Sequence, residues 1–505
     1  MILVFPCATP VYRVTVAQKL TETQVKKRLA DFFNYKRLYG ETHERYLQEK
    51  ERRKKAQEEI ARLKGENTDL RQQLKEMAEA KQAKKAWFRQ NYSVAGQEKK
   101  SGKQERHVSP GRTPKEKKLS AVNEERHMYP EDIDPERCII SHNRYVTHIR
   151  NGQKHVVLYH LYKAPWGEPP RLPGVMPRGE YGIEVAITLA FLVYLVEVSI
   201  DQARWTLRFF AKIDLSRSQA DSLLNQLSTL WTPEFEKLIT LISLALVVHI
   251  DETGWKIGKE RNYAWIFEAI AHVVFLYGQK RSEETLEQVL SRAFPGTVVS
   301  DFFSTYENYF TAQQKCWAHI LRDAIKLMLQ QPTHKEYKRL FEKLHMIFLE
   351  GKEAREDSTL TEAQRERKVN VLQRTLRKTC DRASEKIPAD ASDDLRDFLN
   401  LQKRLLKYED SLFTFVLRPA VDPTNNRAER GLRKTAKARN NYQTSKTADG
   451  AKRRSVIASV LTSLERNLAA FSLEAVIEET SRWRAEGISL FERQLQAAQV
   501  RASPA

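Results

Sequence analysis

Residues Leu244–Trp255 read LALVVHIDETGW. Six of the first seven are apolar and five of those branched, the mark of a short buried strand, which delivers Asp251 at its end. Working outward, YAWIFEAI (Tyr263–Ile270) and HVVFLY (His272–Tyr277) read as two more strands. Glu284–Phe294 reads as a helix, and TVVS (Thr297–Ser300) as a fourth strand ending in Asp301. Cys316-Trp-Ala-His319 opens another helix, a charged helical segment runs from Thr333 to about Leu417, and a helix beginning within PTNNRAER (423–430) carries Glu429.

Three strands, a helix, a strand, a helix and a late helix is the element order of an RNase H-like α/β core. Two Mg²⁺ ions about 4 Å apart activate an attacking oxygen and stabilise the leaving oxygen of a phosphodiester. Such hard cations need carboxylate oxygens from strand ends and a neighbouring helix. Asp251, Asp301 and Glu429 suit that arrangement if residues 333–421 loop out as a helical insertion. A single acid among the 65 of this chain carries little information; the combination carries the reading.

Charge supports a polyanionic partner. Lysine and arginine number 85 against 65 acids, a formal net charge of +20 over 505 residues. The excess concentrates in two stretches, Lys81–Lys118 (12 basic, 3 acidic) and Arg427–Arg454 (10 basic, 2 acidic). The first is rich in Gln, Ser, Gly and Pro and reads as a solvated linker. The second surrounds Glu429 and places Arg427, Arg430, Arg433, Lys434, Lys437 and Arg439 on one helix, a pattern suited to phosphate contact. Cys7, Cys138, Cys316 and Cys380 include no CxxC pair, which fits a reducing cytoplasm better than a disulfide framework. The apolar run Val185–Val196 is too short to span a bilayer and reads as a buried helix, so no membrane partner is expected.

The front of the chain reads as a dimerisation element. EIARLKGENTDLRQQLKEM (59–77) sets Ile60, Asn67 and Leu74 at one heptad position and Leu63, Leu70 and Met77 at the other, with Asn67 as the single polar residue that favours a parallel dimer. Around Asn151-Gly152 the alternation of residues 145–159 predicts a hairpin with His148 opposite His155. Cys138, His142 and His160 lie near, but scattered histidines on a strand face more often bind no metal. A helix is expected to start near Ser216 or Ser218, with Ser218 and Asp221 as a capping-box-like opening and a face of Ala220, Leu223, Leu224 and Leu227. That helix presents Arg217 and Gln219 either as a DNA-reading second helix of a helix-turn-helix or as part of an ordinary helical hairpin. Asn425 and Asn426 are expected to cap the Glu429 helix or to orient its carboxylate, and Trp255 and Trp317 to pack in the core.

HIDETGW, VVSDFFSTYE, KCWAHILRD and DPTNNRAERGLRKTAKARNN resemble the catalytic blocks of bacterial transposases of the insertion sequence 66 family, over roughly residues 20–480. The resemblance implies a DDE enzyme with Asp251, Asp301 and Glu429 as catalytic and metal-binding triad, two Mg²⁺ ions with Mn²⁺ as a substitute, and Cys316, His319 and Arg322 in support. It also implies cleavage at the element's terminal repeats with transfer to target DNA, assembly as a homodimer or larger, and help from small accessory proteins. The family's cysteine zinc module is missing, so zinc is not expected. A catalytically inactive DNA-binding regulator and a structure-selective nuclease on the same fold stand as alternatives. The expected architecture is multidomain and mainly α around the α/β core. It comprises a zipper region (1–80), a linker (81–130), a hairpin module (131–177), a helix-turn-helix-like region (178–243), a core in two parts (244–332 and 422–482) split by the insertion (333–421), and a tail (483–505).

Overall fold

The computed structural model describes residues 121–502 apart from Pro173, Pro177, Arg178 and Gln443, together with Glu51, Glu58 and Arg62. The chain divides into Met1–Pro110 and Gly111–Ala505. In the first unit the three described residues are helical and exposed; the zipper positions Ile60, Leu63, Asn67, Leu70 and Leu74 lie outside the described residues, as does most of the basic linker. Everything below concerns the second unit, a mixed α/β structure that is mostly helical.

Its front is a three-stranded sheet: β1 Glu124–Met128, β2 Ile139–Arg150 and β3 Gln153–Lys163 in the order β1-β3-β2. The hairpin forms as expected. Asn151 (φ 49°) and Gly152 (φ 73°) adopt the left-handed conformations that a two-residue type I′ turn requires, with Arg150 paired to Gln153 and His148 to His155. β1 falls in the segment assigned to the linker; it joins β3 in parallel, a pairing set by tertiary contact rather than local alternation. The histidines do not converge. His148 Nδ1 lies 2.7 Å from Glu184 Oε1, His155 Nε2 3.0 Å from Glu124, and His160 contacts Asn143 and Glu125.

Three helices follow: α1 Ile183–Tyr194, α2 Ile200–Ala211 and α3 Arg217–Ser243. The apolar run is the buried helix α1, and no helix among the described residues is long and apolar enough to cross a membrane. The capping box of α3 is shifted from expectation. Ser216 caps and Gln219 reciprocates, because a glutamine three residues on reaches back to the cap N–H, while Asp221 instead accepts from Arg453 Nη1 at 2.7 Å. The predicted face Ala220, Leu223, Leu224 and Leu227 is buried. Farther along α3, Trp231, Leu238 and Ile242 share one core with Val248 and Ile266 of the main sheet, so α3 is a structural helix of the core.

The main sheet has strands β4 Val247–Ile257, β5 Glu260–Glu268, β6 Val273–Gln279, β7 Thr297–Ser300 and β8 Gln313–Lys315, in the order β6-β5-β4-β7-β8. The first three are antiparallel neighbours; β7 joins β4 in parallel and β8 joins β7 in parallel. Two expectations are corrected. β4 runs six residues past Asp251, since Thr253–Ile257 pair with β5, and the helix predicted over 284–294 is confined to α4 Glu283–Glu287. The polar strand β8 has no sequence signature.

Behind β8 come α5 Trp317–Gln330 and the helical segment expected over 333–417: α6 Lys335–Glu356, α7 Glu362–Thr379, α8 Asp393–Lys407 and the short α9 Glu409–Leu412 and α10 Thr414–Leu417. These build a second core around Leu344, Leu372, Phe398 and Phe415, which also takes Val299 of β7 and Trp317. The chain then returns as α11 Asn426–Tyr442, α12 Ala448–Asn467, α13 Leu473–Glu486 and α14 Leu490–Ala502.

Both sheet edges are sealed. Along β6, the amides of Val273, Phe275 and Tyr277 donate to the hydroxyls of Ser463, Ser459 and Ser455 on α12 at 3.1, 2.8 and 2.8 Å. Four helical residues advance about 6 Å and two strand residues about 6.7 Å, so a serine every fourth position keeps step with every second amide. Along β8, Thr414 Oγ1 donates to Gln313 O and Phe415 N to Gln314 Oε1, so the insertion seals that side.

Candidate active site

Successive strand residues face opposite sides of a sheet. Asp251 pairs with Ile266 and shares its face with His249, whereas Glu252 pairs with Trp265 and faces the other way. His249 stands opposite Val299 in the parallel β4–β7 register, so Asp251 and Asp301, each two residues further on, leave the same end of adjacent strands. α11 lies close against this face because residue 431 is glycine; a Cβ there would collide with Ile266. Glu429 thus sits in the first turn of a helix beside the Asp251 end of the sheet.

Asn425 fastens the junction. Its backbone N–H donates to Cys316 Sγ at 3.1 Å, its Nδ2 donates to Ile250 O at 2.8 Å, and its Oδ1 lies 3.2 Å from His249 Nδ1. The side chain therefore ties α11 to β4 rather than capping the helix. Trp317 N donates to Pro423 O at 3.1 Å, which joins the start of α5 to the same strap. Asn426 is the exposed first residue of α11.

The electrostatics mark this corner. Burial, then the charges of Glu252 and Asp301, push the Asp251 carboxyl up to about 8, with Glu429 adding to the rise and a 2.9 Å bond from Glu252 N opposing it. Glu252 is also raised, by burial first, although Tyr306 donates to it and Arg281 Nη2 lies 2.6 Å from Oε1. Asp301 Oδ1 accepts from Phe303 N at 3.0 Å. Glu429 Oε1 is buried without a hydrogen-bond partner among the described residues; His319 Nδ1, equally unpartnered, stands 3.8 Å away, and Arg322 Nη2 is 3.8 Å from Oε2. Beneath Asp301, burial lowers the Lys315 ammonium to about 8, and it donates to Ser300 Oγ and Asp301 O at 3.1 and 3.0 Å. A cavity of about 440 Å³ opens here, lined by Asp301, Arg281, His319 and Arg404.

The cations expected to contact phosphate divide. Arg427, Arg430 and Lys434 line a second cavity of about 560 Å³ between α11 and α12, together with Glu268 and Arg466. Arg433 and Lys437 are exposed, and Arg439 Nη1 donates to Gly254 O at 2.9 Å, bracing α11 against β4. Arg217 and Gln219 are both in the first turn of α3, Arg217 3.4 Å from Asp201 of α2 and Gln219 engaged in the capping box. Trp255 and Trp317 are buried as expected.

Sequence reading brought Asp251, Asp301, Glu429, Cys316, His319, Arg322 and Asn425 to one place. It passed over Glu252, Arg281, Tyr306, Lys315 and the His249–Asp422 pair. Only Glu252 had a local signal, as the second acid of a tandem at a buried strand; Arg281 and Tyr306 reach it from 29 and 54 positions away, Lys315 reaches Asp301 from 14, and Asp422 reaches His249 from 173.

Two donor sets are present. Asp251, Asp301 and Glu429 offer carboxylate oxygens, and Cys316, His319 and Glu429 bring one sulfur, one nitrogen and one oxygen within 4.8 Å of each other. Residues 193–453, just over half of the chain, match the family model described as Transposase IS66 family. No curated protein matches the chain.

Proposed function

Because the chain belongs to the IS66 family of transposases, we propose that it is a DDE enzyme with an RNase H-like catalytic core, cutting DNA at the ends of its element and joining them to target DNA. The observation that carries this reading is the meeting of Asp251, Asp301 and Glu429 at one corner of a sheet ordered β6-β5-β4-β7-β8. Three antiparallel strands followed by two parallel ones is the strand order of an RNase H-like sheet, with the first acid on its central strand.

The residues fit a pair of hard divalent cations. Asp251 is held up to about 8 by burial and like charges, and Glu429 Oε1 is buried without a partner among the described residues; both situations are relieved by a cation at the carboxylates. Asp251, Asp301 and Glu429 would hold Mg²⁺, or Mn²⁺ in its place. When bound, the ions supply activation of the attacking oxygen and stabilisation of the leaving one. The protein's own groups do the rest. Lys315 and Asn425 fix the two strand ends and the helix that present the acids. Arg322 sits beside Glu429 where a scissile phosphate would approach, and Arg281, which also lines the cavity at Asp301, pairs with Glu252 and balances its charge.

The exposed cations of α11, Arg433 and Lys437 with Arg430 and Lys434, supply phosphate contacts next to the acids. Pairing of two DNA ends is assigned to a dimer through residues 59–77, and Arg217 and Gln219 to further DNA contact; accessory proteins of the element complete the partners. The chemistry belongs in a bacterial cytoplasm, at the nucleoid.

The deciding experiment is Mg²⁺-dependent cleavage and joining of DNA that carries the gene's flanking repeats, with Asp301→Asn alongside. Joined products that disappear in the variant support the reading. Cleaved but never joined products identify a nuclease, and binding with no cleavage by either protein identifies an inactive regulator.

A further inference from the structure

In the second donor set Cys316 and His319 are unused by that chemistry, and Glu429 is shared with it. Cys316 caps the start of α5 and His319 lies one turn on, so both point to the same side; Glu429 meets them from α11. Two of the three donor atoms, His319 Nδ1 and Glu429 Oε1, are buried, 3.8 Å apart, and without hydrogen-bond partners among the described residues. Leaving such atoms unpaired is unfavourable, and a shared cation removes both penalties. The third donor, Cys316 Sγ, is aimed by the Asn425 amide, 3.1 Å away, the kind of second contact that orients a metal ligand.

We propose that Cys316, His319 and Glu429 form a transition-metal site selective for Zn²⁺ or Co²⁺. One sulfur, one imidazole nitrogen and one carboxylate oxygen, with a fourth position left for water, is a zinc donor set; Mg²⁺ and Ca²⁺ do not take thiolate. On binding, the Cys316 thiol gives its proton to solvent as the sulfur–metal bond forms. The consequence, which rests on the catalytic reading above, is inhibition, because Glu429 is shared and a zinc ion at Cys316 and His319 withdraws it from Asp251 and Asp301.

The test uses the full-length, chelator-treated protein and Co²⁺ alone, read by absorption without DNA or Mg²⁺. One equivalent of Co²⁺ should produce a near-ultraviolet thiolate-to-cobalt band that Zn²⁺ displaces. Cys316→Ser should abolish the band, and His319→Ala should weaken binding at least about tenfold, since losing a ligand costs no less than losing a ligand's support. Asp251→Asn should keep the band. Circular dichroism establishes that each variant is folded. A folded wild type without the band, or a band that persists in folded Cys316→Ser, overturns the site. Because the readout needs no cleavage, a chain that never cuts DNA still passes or fails. Where cleavage is observed, one equivalent of Zn²⁺ should cut it at least about tenfold against excess Mg²⁺, and undiminished cleavage overturns the inhibitory role.

Discussion

Two groups of acids in this protein are pushed in opposite directions. In the front sheet, Glu124 is held down to about 2 by hydrogen bonds from Arg126, His155 and Arg150, all at the surface. At the end of the main sheet, Asp251 is driven up to about 8 by burial and by other acids. Glu124 has more positive partners than it needs, whereas Asp251 has fewer. Asp422 lies between the two: half-buried, it is held at about 2 by His249 and by Arg355 3.0 Å away. The contrast teaches that carboxylates which serve the fold are compensated within the chain, and that the under-compensated ones mark the place where an external cation or substrate completes the charge balance.

The largest effect should come from the uncompensated end. Asp251→Asn or Asp301→Asn should reduce Mg²⁺-dependent cleavage at least about 10³-fold while DNA affinity, measured by electrophoretic shift, changes less than about threefold. Full activity in either variant would erase the distinction drawn here. Glu252→Gln comes next. It leaves Arg281, more than a third exposed, without its carboxylate partner and should destabilise the fold by about 1 kcal/mol, discounted for solvent screening and for the burial that disfavours the Glu252 charge, seen in denaturant melts. A variant of unchanged stability would move Glu252 into the functional group.

Asp422→Asn should destabilise by about 1 kcal/mol at neutral pH, discounted because a third of the side chain meets solvent. The folded-state pKa is below the usual value near 3.8, so this stabilisation is present above about pH 4 and is lost as pH falls through about 2. Melting curves of wild type and variant should therefore converge toward pH 2; a constant gap would refute the electrostatic origin. Smallest of all, Glu124→Gln should leave cleavage unaltered, and any measurable drop would show that the front sheet takes part in chemistry.

Much of this was readable before the fold was known. Branched apolar runs located β5, β6 and β7, and Asn151-Gly152 set a hairpin register to the residue. Less was readable where polar residues are buried. Gln313–Lys315 carry no strand pattern, yet all three are buried, because Thr414, about 100 positions away, satisfies the Gln313 carbonyl, and Phe415 and Leu412 satisfy the Gln314 side-chain amide. Lys315 would be assigned to the surface from its type alone; Ser300 Oγ and the Asp301 carbonyl make its burial tolerable. Asn425 was expected to cap its own helix, the inexpensive local option, and instead spans to Ile250 and His249.

Sequence alone determined the acids, their order and the elements that carry them, because hydrophobic periodicity and charge are local properties of the chain. Tertiary structure decided which of the 65 acids share a site, since that depends on β7 joining β4 in parallel and on α11 approaching through Gly431. It also decided their charge state. An isolated aspartate ionises near pH 4, and only the exclusion of water by α5, α11 and the sheet, with other acids brought alongside, raises Asp251 to about 8.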